Sequence, residues 1–370
     1  MISKLIRSIV LRRVIWFDAL TSKQLLIGAS LKKYLAEKGY EVILTAREYD
    51  VIRGLIDRLG IEAYVFGGYA DDLYEKLIVE SERIIKALEI LSKHRDYLIA
   101  GVSYPNPVEA RVIYGVGKPF IVLSDSPHAK HPHRLTLPLA RYLIYSKCIP
   151  EDAWREYTLP SLRLVSYDGF DELSWIRFLP EASSKKFIEE LDLVEHNYVV
   201  LRPEEYKASY YEWGFDKDFW IRLSKKLVER DLRVVILPRY SDQRNILLNE
   251  LRGYIERKRI HIPDPRSAIG PSLVKYSLAV ITGGGTMARE AALQGILGIT
   301  TFPMNLHVDK CAEELGLPLF YVKNINKILD FIEMFSRDID RYRNMSSNIL
   351  FGKKTPNEVI YELLRDLEIR

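Results

Sequence analysis

The chain has 370 residues, 48% of them apolar and 28% charged, an ordinary globular balance in a chain long enough for two domains. Lys and Arg total 54 against 50 Asp and Glu, a net charge of +4 that Lys4, Arg7, Arg12 and Arg13 alone supply, so the body is nearly neutral and shows no basic stretch for nucleic acid. Cys148 and Cys311 stand far apart without a C-x-x-C pair, and no apolar run approaches about 18 residues, which argues against a disulfide scaffold, a cysteine zinc site and a membrane span.

Residues 1–13 combine bases with an interrupted apolar pattern and lack a small-residue cleavage site, so they do not read as a signal peptide. Two readings stay open: a plain N-terminal extension, or a basic amphipathic segment in weak contact with an anionic lipid surface. A cytoplasmic location is expected.

Beyond it, short β-branched runs alternate with helical patterns. Val14–Phe17 reads as a strand and Lys23–Glu37 as a helix closed by Gly39. The strand Glu41–Thr45, the helix Tyr49–Leu59 and the strand Glu62–Phe66 follow, then a long helical stretch Asp72–His94. Tyr97–Val102, Phe120–Leu123, Leu143–Tyr145 and Leu162–Val165 read as further strands, with a helix over Pro107–Tyr114. This alternation indicates βαβ units and a parallel sheet.

The second half repeats the scheme. Strands are predicted over Tyr198–Leu201, Arg233–Leu237, Arg259–Ile262, Leu278–Thr282 and Gly298–Phe302, and helices over Lys217–Glu229, Gln243–Lys258, Ser272–Tyr276 and Thr286–Gln294. The fold expected is therefore α/β, with two doubly wound Rossmann-like domains and a cleft between them. The turn signal Asp168-Gly169 and the helix Ser183–Leu191 place the join between Asp168 and His196. Residues 1–175 form the first domain and 180–350 the second. Residues 351–370 carry a terminal helix, Asn357–Leu367, that is a candidate to return to the first domain.

The strongest local signal is Val280-Ile281-Thr282-Gly283-Gly284-Gly285-Thr286-Met287-Ala288-Arg289-Glu290-Ala291-Ala292. A buried strand ends, glycines turn the chain and a helix begins. Free N–H groups and the positive end of the helix dipole favour an anion, and a diphosphate is the natural guest. Glu290, just over one turn in, is placed to accept bonds from ribose hydroxyls. The segment is neither a Walker A loop nor a G-x-G-x-x-G fingerprint. A structural turn with Glu290 on a solvated face is the competing reading.

Arg202 and Arg239 end the first and follow the second strand of this domain, where parallel strands border a ligand crevice, and both can offer guanidinium forks to phosphate. From the other domain Asp18, Asn106, Asp125 and His128 are expected to face the same crevice, with Asp18, Asp125 and His128 as candidate acid/base groups. For Asp18 a helix cap is the competing reading. The cluster His128, His131 and His133 has no nearby carboxylate to complete a zinc site, so no metal is assigned.

Thr282–Ala292 resembles the Ser-Gly-Gly…Glu segment of UDP-N-acetylglucosamine 2-epimerases. The chain more closely resembles an uncharacterised prokaryotic "domain of unknown function" family related to them. There Gly-Gly-Thr-Met-x-Arg-Glu-Ala-Ala precedes a Thr-Phe-Pro and a Val-Asp-Lys, matched here by Thr301-Phe302-Pro303 and Val308-Asp309-Lys310. Trp16-Phe17-Asp18, Thr45-Ala46-Arg47, Pro138-Leu139-Ala140 and Leu201-Arg202-Pro203 also fit, so the resemblance spans nearly the whole chain. It implies a GT-B-like fold and a cleft for a nucleotide sugar. The diphosphate would lie on Gly283, Gly284, Gly285 and Thr286, with Arg202 nearby, the ribose on Glu290, and the base against Ile262-Pro263-Asp264-Pro265. The epimerases carry catalytic carboxylates in a Glu-Ala-Gly-Leu-Arg stretch. Here the corresponding Ser124-Asp125-Ser126-Pro127-His128 keeps one acid and loses the rest of the pattern. The expectation is a UDP-sugar-dependent glycosyltransferase that needs no metal or other cofactor, its acceptor unassigned. A 2-epimerase and a non-catalytic nucleotide-sugar-binding protein are the alternatives.

Overall fold

The computed structural model describes residues 12–48, 51–70, 72–207, 214–265, 270–304 and 306–369. The proposed lipid-contacting segment 1–13 thus lies almost wholly outside the described residues.

Strands β1 (Val14–Ala19), β2 (Glu41–Ala46), β3 (Tyr64–Val65), β4 (Leu98–Ser103), β5 (Phe120–Leu123), β6 (Tyr142–Ser146) and β7 (Arg163–Tyr167) form one sheet. Strands β8 (Tyr198–Arg202), β9 (Arg233–Ile236), β10 (Ile260–His261), β11 (Ala279–Thr282), β12 (Leu297–Thr300) and β13 (Leu319–Tyr321) form another. All pairings are parallel, and the orders are β3-β2-β1-β4-β5-β6-β7 and β10-β9-β8-β11-β12-β13. Both sheets therefore reverse direction once, at β1/β4 and at β8/β11. The loops beyond those strand ends form the crevice of a doubly wound fold.

The sequence explains the layering. Runs such as Val14–Phe17 and Val199–Leu201 are fully buried, because helices cover both faces of each sheet. One face of the first sheet packs Phe17, Leu44 and Ile121 beneath the helix Ser22–Ala36. That core also takes in Trp175, Leu179 and Ala182, so the segment leaving the first domain is built into it. The terminal helix Pro356–Ile369 adds Val359, Ile360, Leu363 and Leu364 to the same core, and Asn357 Nδ2 donates to Ser30 Oγ at 3.2 Å. The opposite face, with Trp16, Val122 and Leu143, is continuous with Ala288, Ala292, Val308 and Ala312 of the second domain.

A disulfide joins Cys148, after β6, to Cys311 on the helix His307–Glu314, with Cα atoms 5.5 Å apart. Spacing in sequence gave no sign of it, because 163 residues separate the partners and only the packing of the two domains brings them together.

Candidate functional site

β11 ends at Thr282, and the turn Gly283–Gly285 leads into the helix Thr286–Leu293. Space, not backbone angle, demands glycine here. A Cβ at Gly283 would lie 2.7 Å from Glu204 backbone, and one at Gly285 2.4 Å from Arg289 Nη1. Gly285 itself has φ of −96°, open to any residue. The turn is pinned by Gly284 N–H donating to Thr282 Oγ1 (3.1 Å) and by Thr300 Oγ1 donating to Gly284 O (3.0 Å). Among the described residues no side chain caps the helix at Gly285, so its positive end faces the crevice uncapped.

That crevice is a cavity of about 710 Å³ lined from both domains. The volume lies within the range of about 300–1,000 Å³ usual for small-molecule sites. Arg202, at the end of β8, lines it and donates to Leu237 O at 3.2 Å. Arg239 lines it too, donating from Nε to Pro203 O (3.1 Å) and pairing with Glu205 (3.3 Å). Pro263 and Pro265 contribute to the rim.

The opposite wall holds a buried ionic network. Asp125 Oδ2 accepts from Lys23 Nζ (2.7 Å) and from Arg289 Nη2 (2.8 Å), and Oδ1 accepts from Ser126 Oγ (2.8 Å). Burial works to raise the Asp125 carboxyl, but Lys23 and Arg289 outweigh it and hold the group below the usual carboxylate range. Lys23 also pairs with Asp171 at 3.1 Å and lies 4.8 Å over the Tyr104 ring. Asp171 in turn accepts from the hydroxyls of Tyr104 and Tyr167.

Arg289 is the hub. Its Nε bonds Glu172 of the first domain at 2.9 Å and its Nη1 bonds Asp309 of the second at 2.6 Å. Burial raises the Glu172 carboxyl even against the Arg289 charge. The next residue, Glu290, accepts from Trp175 Nε1 at 2.9 Å. Burial pushes its carboxyl up to about 8, with the Trp175 bond opposing.

The three histidines part company. His128 and His131 line the cavity, and burial lowers the His128 imidazole, which favours its neutral form. His133 turns into the core, with Nε2 3.0 Å from Ser124 Oγ and its ring 5.0 Å from that of Tyr157. Among the described residues no cluster of His, Cys, Asp or Glu is arranged to hold a metal ion.

Asp125, His128, Arg202, Gly283, Gly284, Gly285, Thr286 and Glu290 thus line one cavity. Asp18 does not. It is fully buried in the first domain, pairing with Arg83 Nη2 at 2.6 Å and accepting from Thr45 Oγ1 (2.6 Å) and Asn106 Nδ2 (2.7 Å). Asn106 is likewise consumed, since Oδ1 caps the helix Pro107–Gly115. The expectation that these two face the crevice is corrected: Arg83, from a distant helix, draws the carboxylate inward. Lys23, Glu172, Asp171 and Trp175 escaped sequence reasoning altogether. Arg289 and Asp309 stood inside the quoted Gly-Gly-Thr-Met-x-Arg-Glu and Val-Asp-Lys segments, and that was the available signal.

Two parallel sheets of like order, facing across a cavity at their switch points, define a GT-B-like α/β protein. Over residues 14–351 the chain matches the family described as "Protein of unknown function (DUF354)", and it belongs to that family. An uncharacterized protein of Methanocaldococcus jannaschii is 26% identical over 326 residues, covering 86% of this chain and 90% of the relative. The UDP-GlcNAc 2-epimerase of the same organism, solved with UDP-GlcNAc and UDP, superposes with a TM-score of 0.65 at 12% identity, over 92% of this chain and 100% of that one. A glycosyltransferase from Rickettsia africae gives 0.55 at 12% identity, over 96% and 98%. These likenesses show a common fold. No described helix is long and apolar enough to cross a membrane.

Proposed function

We propose that the chain binds a UDP-sugar in the inter-domain cavity and transfers the sugar to an acceptor. The observation that carries this reading is the uncapped start of the helix Thr286–Leu293, opening with Arg202 and Arg239 onto a cavity whose far wall holds His128 and Asp125. Helix N–H groups and two guanidinium groups suit a diphosphate, both as ground-state ligand and as departing anion, the work a metal does in other transferases. Neutral His128 can take the proton of an acceptor hydroxyl. Asp125, drained of basicity by Lys23 and Arg289, orients rather than abstracts. Glu290 receives the ribose.

The second reading is 2-epimerisation, and two things favour it. Glu290, with its carboxyl near 8, supplies a second acid/base group in the same cavity. Solved structures named as UDP-GlcNAc 2-epimerases share the fold over 92% of this chain. Isothermal titration with UDP, UDP-GlcNAc and ADP tests the ligand: no heat with any of them refutes the nucleotide site, and a preference for ADP refutes the base. NMR of UDP-GlcNAc incubated with the protein separates the reactions. UDP-ManNAc, or 2-acetamidoglucal with UDP, establishes epimerase chemistry, whereas UDP release that depends on an added acceptor establishes transfer.

A further inference from the structure

The helix Leu73–Leu91 carries an apolar face that nothing in the described chain covers. Leu73 is 73% exposed, Tyr74 81%, Leu77 63%, Ile78 58%, Ile85 58% and Leu88 41%. At 3.6 residues per turn these six positions fall within one stripe along the helix. Ser81 falls among them, its hydroxyl donating to Leu77 O at 2.8 Å, and an exposed stripe of this kind marks an interaction surface, whereas scattered apolar residues do not.

Its position tells what it meets. Lys76 and Glu80, on one edge of the stripe, line the inter-domain cavity, so the apolar face borders that cavity. Arg47 lines the same rim. Its guanidinium carbon lies 5.6 Å from the Tyr69 ring centroid and Lys76 Nζ lies 5.5 Å from it. Arg47, Lys76 and Glu80 thus line the cavity beside the stripe, and burial raises the Glu80 carboxyl, with Arg47, Arg83 and Lys76 opposing. The remaining acids of the helix, Glu75, Glu82 and Glu89, fall beyond the opposite edge of the stripe. Tyr74 in the first turn and Tyr69, whose ring lies beside Lys76, are both exposed at the start of the helix, and such rings suit a boundary between apolar and aqueous phases. The arrangement is apolar along the helix, aromatic at the boundary and cationic at the cavity.

We propose that this surface seats the protein on a lipid membrane and presents an anionic, phosphate-bearing lipid to the cavity, the head at Arg47 and Lys76 and the chains along Leu73, Leu77, Ile78 and Ile85. The lipid as acceptor rests on the nucleotide-sugar reading, whereas the membrane surface does not. The stripe supplies apolar area for insertion and the rim supplies the preference for negative headgroups.

Co-sedimentation of the full chain with vesicles of phosphatidylglycerol, compared with phosphatidylcholine, tests it. Stronger binding to phosphatidylglycerol is expected. Leu77→Glu/Ile85→Glu should weaken binding to both vesicles by at least about tenfold, since burying a carboxylate among acyl chains is costly. Arg47→Ala/Lys76→Ala should bind both vesicles alike. Both stripe positions are exposed, and unchanged UDP affinity confirms a folded variant; Leu77→Ser/Ile85→Ser serves if the glutamates perturb the fold. The proposal falls if the stripe variants sediment as the parent does, because residues 1–13 would then account for any binding. It falls also if the parent binds no vesicle, or if sedimentation velocity shows a dimer that Leu77→Glu dissociates, which makes the stripe a subunit face. Vesicle binding without UDP binding refutes the nucleotide reading alone, and the reverse refutes this one alone.

Discussion

Arg289 of the second domain donates to the Asp125 carboxylate of the first across 2.8 Å, with the guanidinium only 3% exposed. The residue belongs to the helix that opens at Gly285 and also carries Glu290. Whatever anion binds at the start of that helix therefore acts on the same rigid element that grips Asp125 and Glu172. The site and the domain contact are one piece of structure.

Removing the hub leaves Asp125, Glu172 and Asp309 without their shared cation in a buried setting. Arg289→Ala is expected to lower stability by about 3–5 kcal/mol, the range for breaking one partner out of a buried ionic cluster. Arg289→Lys should recover little, because a single ammonium cannot reach three carboxylates in a planar fork. Urea unfolding of both variants against the parent measures this. A midpoint within error of the parent would show that the cluster does not hold the domains together.

Glu290 gives a pH signature. Its carboxyl is raised to about 8 by burial, against the Trp175 hydrogen bond, from an ordinary value of 4.5. In this window the folded state holds a proton that the unfolded state has lost, so stability falls as pH rises from about 4.5 through about 8. Glu290→Gln cannot ionise and escapes the penalty. The stability of the Gln variant relative to the parent should grow between pH 5 and pH 8, by on the order of 3 kcal/mol. A constant difference across the range means that Glu290 ionises normally. If the ribose contact exists, Glu290→Ala also weakens UDP binding, by about 1–3 kcal/mol.

Much of this architecture was legible because each layer left a local mark. Phe120–Leu123 and Lys217–Glu229 were read to the residue, since β-branched burial and amphipathic spacing coincide there with clear turn signals. Gln243–Lys258 is in fact two helices, Ser241–Glu250 and Arg252–Glu256, broken at Leu251, whose φ of −111° and ψ of 12° leave the helical region. β13 and the helix His307–Glu314 went unread, being short and only partly apolar. In the cavity, the second-domain wall was readable because strand, glycines and helix are contiguous. On the first-domain wall Asp125 and His128 were readable from their place just after β5, but their ionic partners were not: Lys23 meets Asp171 across 148 residues and Arg289 meets Asp125 across 164, and no local pattern encodes such pairs. Asp18 shows the converse. Its place at a strand end pointed to the crevice, and a partner 65 residues on, Arg83, pulled it away.

The disulfide makes a third expectation. Thiol titration of the unfolded, unreduced protein should find no free cysteine, and prior reduction should expose two. Because the bridge closes a loop of 163 residues, its reduction should cost about 5 kcal/mol of stability in the chain-entropy account. Cys311→Ser should match the reduced parent. Free thiols in the unreduced protein would mean that the domains are held by packing and the Arg289 cluster alone.

The glycine turn separates binding from folding. A Cβ at Gly285 would lie 2.4 Å from Arg289 Nη1 and 3.2 Å from both Asp309 oxygens, so Gly285→Ala must push the hub off its partners. It should lose stability on the scale of Arg289→Ala and lose nucleotide affinity as a consequence. A Cβ at Gly284 meets only Arg239 Nη2 at 3.3 Å and Thr282 Oγ1 at 3.8 Å, and Gly284 lines the cavity. Gly284→Ala should therefore keep stability within about 1 kcal/mol of the parent, as a mild contact with a flexible side chain permits. On the proposed function its methyl group would nonetheless stand where the diphosphate approaches the backbone, so UDP affinity should fall by at least about tenfold, or 1.4 kcal/mol. Calorimetric titration alongside urea unfolding reads both quantities on the same samples. Parental UDP affinity in a stable Gly284→Ala protein would place the diphosphate elsewhere in the cavity.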